Sequence, residues 1–189
     1  MQMEKKRVFE EITNLEESMI SFLQDLVKEP STLGNEKGAQ LIVYNKLKEL
    51  GLKTNIWDPD IHILEKHPAF APVEWDYKGR PNVTAIHEAE KKEGKSLVLN
   101  GHIDVVSPEP LWEWKYNPWS AEIKDNRLYG RGSADMKGGI AMMILALEAI
   151  IKLDIELYWD IFVETHVMKL GQTCQKASNR RLSGPPHVR

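Results

Sequence analysis

Cysteine is almost absent from this chain of 189 residues: Cys174 stands alone, which excludes an internal disulfide framework and suits a reducing compartment. No run approaches the ~18 apolar residues of a membrane span, so no membrane partner is expected. The opening MQMEKKRVFEEITNLEE lacks the apolar core of a secretory signal, and the cytoplasm is the expected location. Acid is missing from one region only. Residues 1–165 hold 20 Lys+Arg against all 28 Asp+Glu, whereas residues 166–189 hold five Lys+Arg and no acid. The acidic body lacks the basic face that nucleic acids require, so no nucleic-acid partner is expected. With 42% hydrophobic and 28% charged residues, the composition is that of a globular protein.

Helix-like and strand-like stretches alternate along the chain. Residues 3–28 place Val8, Ile12, Leu15, Met19, Phe22, Leu23 and Leu26 at three- and four-residue steps, predicting one helix that stops before Pro30. A second helix is expected over about 35–50, closed by Gly51. Residues 52–57 and 82–87 alternate as strands. The stretch 59–81 is irregular, and residues 88–94 form a charged, hairpin-like turn. Ser96–Leu99 is apolar enough to be a central strand buried on both faces. Residues 126–130 read as a short strand or turn, and 136–153 as a helix apolar nearly all round. DIELYWDIFVE, from Asp154 to Glu164, reads as a loop into another buried strand. This alternation predicts an α/β layered architecture.

The chemistry concentrates between Ser96 and Gly139. In a strand-like stretch His102 and Asp104 point the same way, so an imidazole and a carboxylate converge. They read either as a metal ligand with its orienting or ligating carboxylate, or as a surface pair at a strand end. Asp135 follows Gly130 and Gly132 and precedes Gly138 and Gly139. It reads either as a rigidly held cation ligand or as the N-cap of the next helix. GRGSADMKGG fits neither phosphate-binding glycine pattern. His62, His67 and His87 read either as further ligands that complete a metal site or, as lone loop histidines more often are, as solvated residues, and Trp112, Trp114 and Trp119 as loop packing or pocket lining.

NGHIDVV followed by YGRGSADMKGG resembles the signature pair of the M20 metallopeptidase and amidohydrolase family, which includes acetylornithine deacetylase, succinyl-diaminopimelate desuccinylase and carboxypeptidase G2. The likeness runs over roughly residues 15–165 and is closest over 96–152. It implies a three-layer, mixed-sheet zinc-peptidase-like catalytic domain carrying two zinc ions, or cobalt. His102 matches a metal-ligating histidine, Asp104 the catalytic aspartate that orients it, and Asp135 the carboxylate bridging both metals. The implied activity is metal-assisted hydrolysis of an N-acyl amide or peptide bond in a small N-acylated amino acid or peptide-like substrate.

The resemblance also implies a Glu-Glu pair after the next strand, one the general base and one a ligand. Here Glu164 is followed by Thr165, and the family's later ligands and dimerisation domain have no counterpart. The expectation is therefore an N-terminal part of the catalytic domain over 1–165, incomplete on its C-terminal side, with 166–189 a non-native or frameshifted basic tail. The alternative is a catalytically inactive remnant or binding fragment. A layered domain of this extent is expected to leave strands such as DIFVE unpaired and to associate.

Overall fold

The computed structural model describes residues 2–66, 68 and 76–167. His67 and the tail from residue 168 onward lie outside the described residues. The expected first helix is two, α1 (Gln2–Asn14) and α2 (Glu16–Lys28), with Leu15 buried at the junction. The period continues across the break, so pattern alone does not reveal it. α2 buries Phe22, Leu26 and Val27 and ends where Glu29 turns extended (φ −87°, ψ 108°), as a residue before proline must. α3 (Lys37–Glu49) buries Ala39, Val43 and Leu47, and Gly51 at φ +78° supplies the left-handed stop.

β1 (Lys53–Trp57) is followed by the short α4 (Ile61–Leu64) and β2 (Asn82–His87). β3 (Leu97–His102) leads through a long connection to a hairpin of β4 (Glu122–Lys124) and β5 (Arg127–Tyr129). A π-helical turn, Ser133–Lys137, precedes α5 (Gly138–Lys152), and β6 (Ile161–His166) follows. The main sheet runs β1-β2-β6-β3, with antiparallel pairing except for the parallel pair β3 and β6. α5 lies in the crossover that parallel neighbours require. The fold is the mixed α/β arrangement expected from the alternating pattern.

Three sequence expectations are corrected. Among the described residues β3 is an edge strand, with Leu97 and Val98 46% and 40% exposed, not a strand buried on both faces. β6, not β3, takes the interior place, so DIFVE is paired on both sides. The turn at 88–94 is no hairpin, because β6 lies between the strands it joins. An apolar run marks a strand without saying which neighbours it finds. His166 closes β6, and Val167 is fully buried, its N–H donating to Asn82 Oδ1 at 3.1 Å.

The core joins α2, α3 and α5 to one face of the sheet. A Cβ on Gly101 would stand 2.9 Å from Ile140 of α5, while Thr165, its register partner, hydrogen-bonds Gln40 of α3. Both helices therefore share the Gly101–Thr165 face. By strand alternation Asn100, His102, Glu164 and His166 lie on the opposite face. α5 buries Ile140, Ile144 and Leu147, each contributing about 1.5–3 kcal/mol. Its outer face carries Met142 at 61% exposure, so the helix is not apolar-packed all round.

Candidate active site

The site forms where parallel β3 ends and the glycine-rich turn begins. Val105 beyond β3 bridges Thr32 as a parallel partner, so the chain runs extended through His102 and Asp104. Gly132, at φ +81°, then swings the chain into the π-helical turn, within which Asp135 is non-helical (φ −122°, ψ 97°) and precedes a cis peptide bond to Met136. Asp135 is thus not the N-cap of α5. Its side chain remains 61% exposed while His102 is buried.

The turn brings Asp135 Oδ1 to 3.1 Å from His102 Nε2. On the other side of the ring, Nδ1 lies 3.0 Å from the backbone oxygen of Asp104 and 3.4 Å from its Oδ1. A carbonyl only accepts, so Nδ1 carries the proton. The Asp104 side-chain contact is too poorly formed to count as a hydrogen bond, and Oδ1 is buried with no hydrogen-bond partner among the described residues. Asp104 therefore acts on the ring mainly through its main chain and its charge. Burial works against protonation of His102. The hydrogen bonding and charge of Asp104, with the hydrogen bond to Asp135, outweigh it and hold the imidazole above the ordinary histidine range.

With acceptors at both nitrogens, the ring needs either a second proton or a cation at Nε2. Two atoms each about 2.1 Å from a tetrahedral zinc stand roughly 3.4 Å apart, close to the observed 3.1 Å separation. His102 and Asp135 therefore fit as one edge of a metal site. Among the described residues no group of three or more His, Cys, Asp or Glu is placed to hold an ion, so the edge has no third ligand here.

Two further residues belong to this neighbourhood. His166 is the register partner of His102, and its Nδ1 lies 3.4 Å from Asn100 Nδ2. Burial, reinforced by the nearby His102 and opposed by Asp104, pushes it down to about 4. Glu164, fully inside β6 and buried, accepts from Asn100 Nδ2 at 3.2 Å. The spacing of two between Glu164 and His166 matches that between Asn100 and His102; that signal was available once the two strands were paired. His62 and His87 do not join the site, being in α4 and at the end of β2.

The aromatic connection divides its tryptophans. Trp112 is exposed, whereas Trp114 and Trp119, with Leu111, Tyr116 and Pro118, line a cavity of about 260 Å³. Arg131 stacks on Trp114 at 4.7 Å, and its Nη2 donates to Ser107 O at 3.4 Å.

Residues 98–163 match the model of Peptidase family M20/M25/M40. Over 155 residues the chain is 30% identical to N-formyl-4-amino-5-aminomethyl-2-methylpyrimidine deformylase of Halalkalibacterium halodurans, covering 80% of this chain and 32% of that protein. An M20 family metallo-carboxypeptidase from Sulfolobus solfataricus superposes with a TM-score of 0.61 at 26% identity, covering 82% of this chain and 30% of the other. A di-peptidase from Saccharomyces cerevisiae superposes with a TM-score of 0.76 at 16% identity, over 95% of this chain and 38% of the other, a likeness of fold alone. The chain thus spans about a third of the length of these relatives. On the family match, the sequence relative and the shared fold together, this chain belongs to the M20 metallopeptidase and amidohydrolase family, the likeness covering the N-terminal part of its catalytic domain.

Proposed function

We propose that the chain carries part of the active site of a metal-dependent hydrolase acting on an N-acyl amide or peptide bond of a small substrate. The 3.1 Å approach of His102 Nε2 to Asp135 Oδ1, inside the matched segment, is the observation that carries this reading. His102 and Asp135 are the metal ligands, and Asp104 the residue that orients the imidazole. The ion is zinc or cobalt, paired in the complete site. When bound, such a cation polarises the scissile carbonyl and lowers the pKa of a bound water. The chain's own residues prepare for it. The Asp104 carbonyl fixes the proton on Nδ1, leaving Nε2 free to donate its lone pair. The Asp135 carboxylate, 61% exposed, stands at the mouth of the site with its Oδ1 toward the ring. Asn100 holds Glu164 beside the pair.

Hydrolysis of N-formyl and N-acetyl amino acids and of dipeptides, by the full chain with added Zn²⁺ or Co²⁺, tests the proposal. Activity abolished by His102→Ala and by Asp135→Ala supports it. A second reading, a binding fragment without turnover, is favoured by the lack of a third ligand among the described residues. It predicts ligand or metal binding with no hydrolysis under any metal.

A further inference from the structure

We propose that the segment from Leu26 to Ser31, at the C-terminal end of α2, is a template that sets the separation of His102 and Asp135, with Lys137 and Ser31 as its positioning residues. The proposal rests on reading His102 and Asp135 as the functional pair. Its first half is a consequence of Pro30. In a helix the Leu26 carbonyl would accept the N–H of the residue four positions on, but that residue is proline and has none. Lys137 supplies the donor instead: its Nζ gives hydrogen bonds to Leu26 O at 2.7 Å and Glu29 O at 2.9 Å. Lys137 is fully buried and only two residues from Asp135. Its own N–H donates to Gly132 O at 3.0 Å, which closes the turn.

The second half is Ser31. Its Oγ donates to Ile103 O at 2.7 Å, and its backbone oxygen accepts from Val105 N at 2.9 Å. The two contacts bracket Asp104 and follow directly on His102. One stretch of six residues therefore grips both the strand end bearing the imidazole and the turn bearing the carboxylate. The glycines of the turn fit this docking. A Cβ on Gly130 would come within 2.3 Å of Val27 Cγ1, and one on Gly132 within 2.4 Å of Val105 Cγ1. Neither approach leaves room for a side chain.

A purely structural lysine is the competing account. A methionine fills much the same volume without burying a charge, so stability alone does not call for the ammonium. What methionine lacks is the directed pair of hydrogen bonds that orient the turn.

The test uses the metal-free full chain under chelator, reading the His102 ring nitrogens by two-bond ¹H–¹⁵N NMR. Asp135→Ala marks where the signals fall when the pair is broken. Lys137→Met and Ser31→Ala are each expected to stay folded and to move the His102 signals at least halfway to that reference. Glu148→Gln, which alters the ion pair between Lys46 of α3 and Glu148 of α5, is expected to leave them in place. The proposal is overturned if folded Lys137→Met and Ser31→Ala both keep wild-type signals, or if Glu148→Gln shifts them as far. Should Lys137→Met not fold, Ser31→Ala, which removes one hydroxyl, decides alone. Failure of the metal-site reading would look different: His102 signals sensitive to Asp135, with no zinc binding.

Discussion

His102 and Asp135, 33 positions apart in sequence, meet at 3.1 Å between Nε2 and Oδ1, with the opposite ring nitrogen already committed to the Asp104 carbonyl. Two such donors bind a divalent ion weakly compared with a site of three protein ligands. Zn²⁺ added to the full chain is expected to bind, and either His102→Ala or Asp135→Ala to lower the affinity at least about tenfold, equal to ~1.4 kcal/mol. Isothermal titration calorimetry with each variant checks this. Unchanged affinity in both would remove the pair from the metal site.

Asp104 acts on the ring through its main-chain carbonyl, 3.0 Å from Nδ1, and through the charge of its side chain. Its Oδ1 is buried, 3.4 Å from Nδ1 and without a hydrogen-bond partner among the described residues. In Asp104→Ala the burial that opposes protonation is no longer outweighed, so the pKa of His102 is expected to fall from above the ordinary histidine value to near or below it. An NMR titration of the metal-free protein reads the change directly. A pKa that stays put would mean that Asp135 and the main-chain carbonyl at position 104 hold the ring protonated without the Asp104 side chain.

Lys137 gives a stability signature at high pH. Burial pushes its pKa down from 10.5 to about 8, against the pull of the Glu29 charge. The unfolded chain therefore keeps the proton between about pH 8 and 10.5 while the folded chain releases it. Stability is then expected to rise with pH across this window, by at most about 3 kcal/mol, and to be insensitive to this group below it. The neutral amine still has two hydrogens, enough for Leu26 O and Glu29 O. Urea denaturation at pH 7.5 and 10 measures the slope, and Lys137→Met should flatten it.

Much of this arrangement was legible in the sequence because the relevant signals are local. Pro30 and Gly51 stop helices by backbone chemistry, and the pairing of NGHIDVV with YGRGSADMKGG announces the family and the two segments that the fold brings together. What stayed hidden depends on partners. Leu97, Val98 and Leu99 form an apolar run that suits an interior strand, yet the interior place goes to Ile161–His166, chosen by pairing with both β2 and β3. His166 fell at a change in composition and so read as tail, although strand alternation puts it beside His102. The role of Lys137 was equally illegible, because it follows from a proline more than a hundred residues away.

The buried ion pair of Glu36 and Arg80 offers the most direct check on how the end of β6 is held. Arg80 Nε donates to Glu36 Oε2 at 2.9 Å, and its Nη2 reaches both Glu36 Oε1 and, at 3.3 Å, the carbonyl of Val167. Glu36 also accepts from the Gly34 N–H at 3.1 Å, so its carboxylate is the hub of the contact. Removing one partner leaves the other charge buried and uncompensated. Arg80→Met is therefore expected to cost about 3–5 kcal/mol, and Arg80→Met combined with Glu36→Leu less than the two single changes added together. A double-mutant cycle from urea denaturation measures the coupling. Because Val167 directly follows His166, Arg80→Met should also disturb the His166 ring signals while leaving β1 unchanged. Coupling with no effect at His166 would mean that the pair is a local cap on the 34–36 turn and not an anchor for the strand end, and simple additivity would mean that the pair contributes no interaction energy.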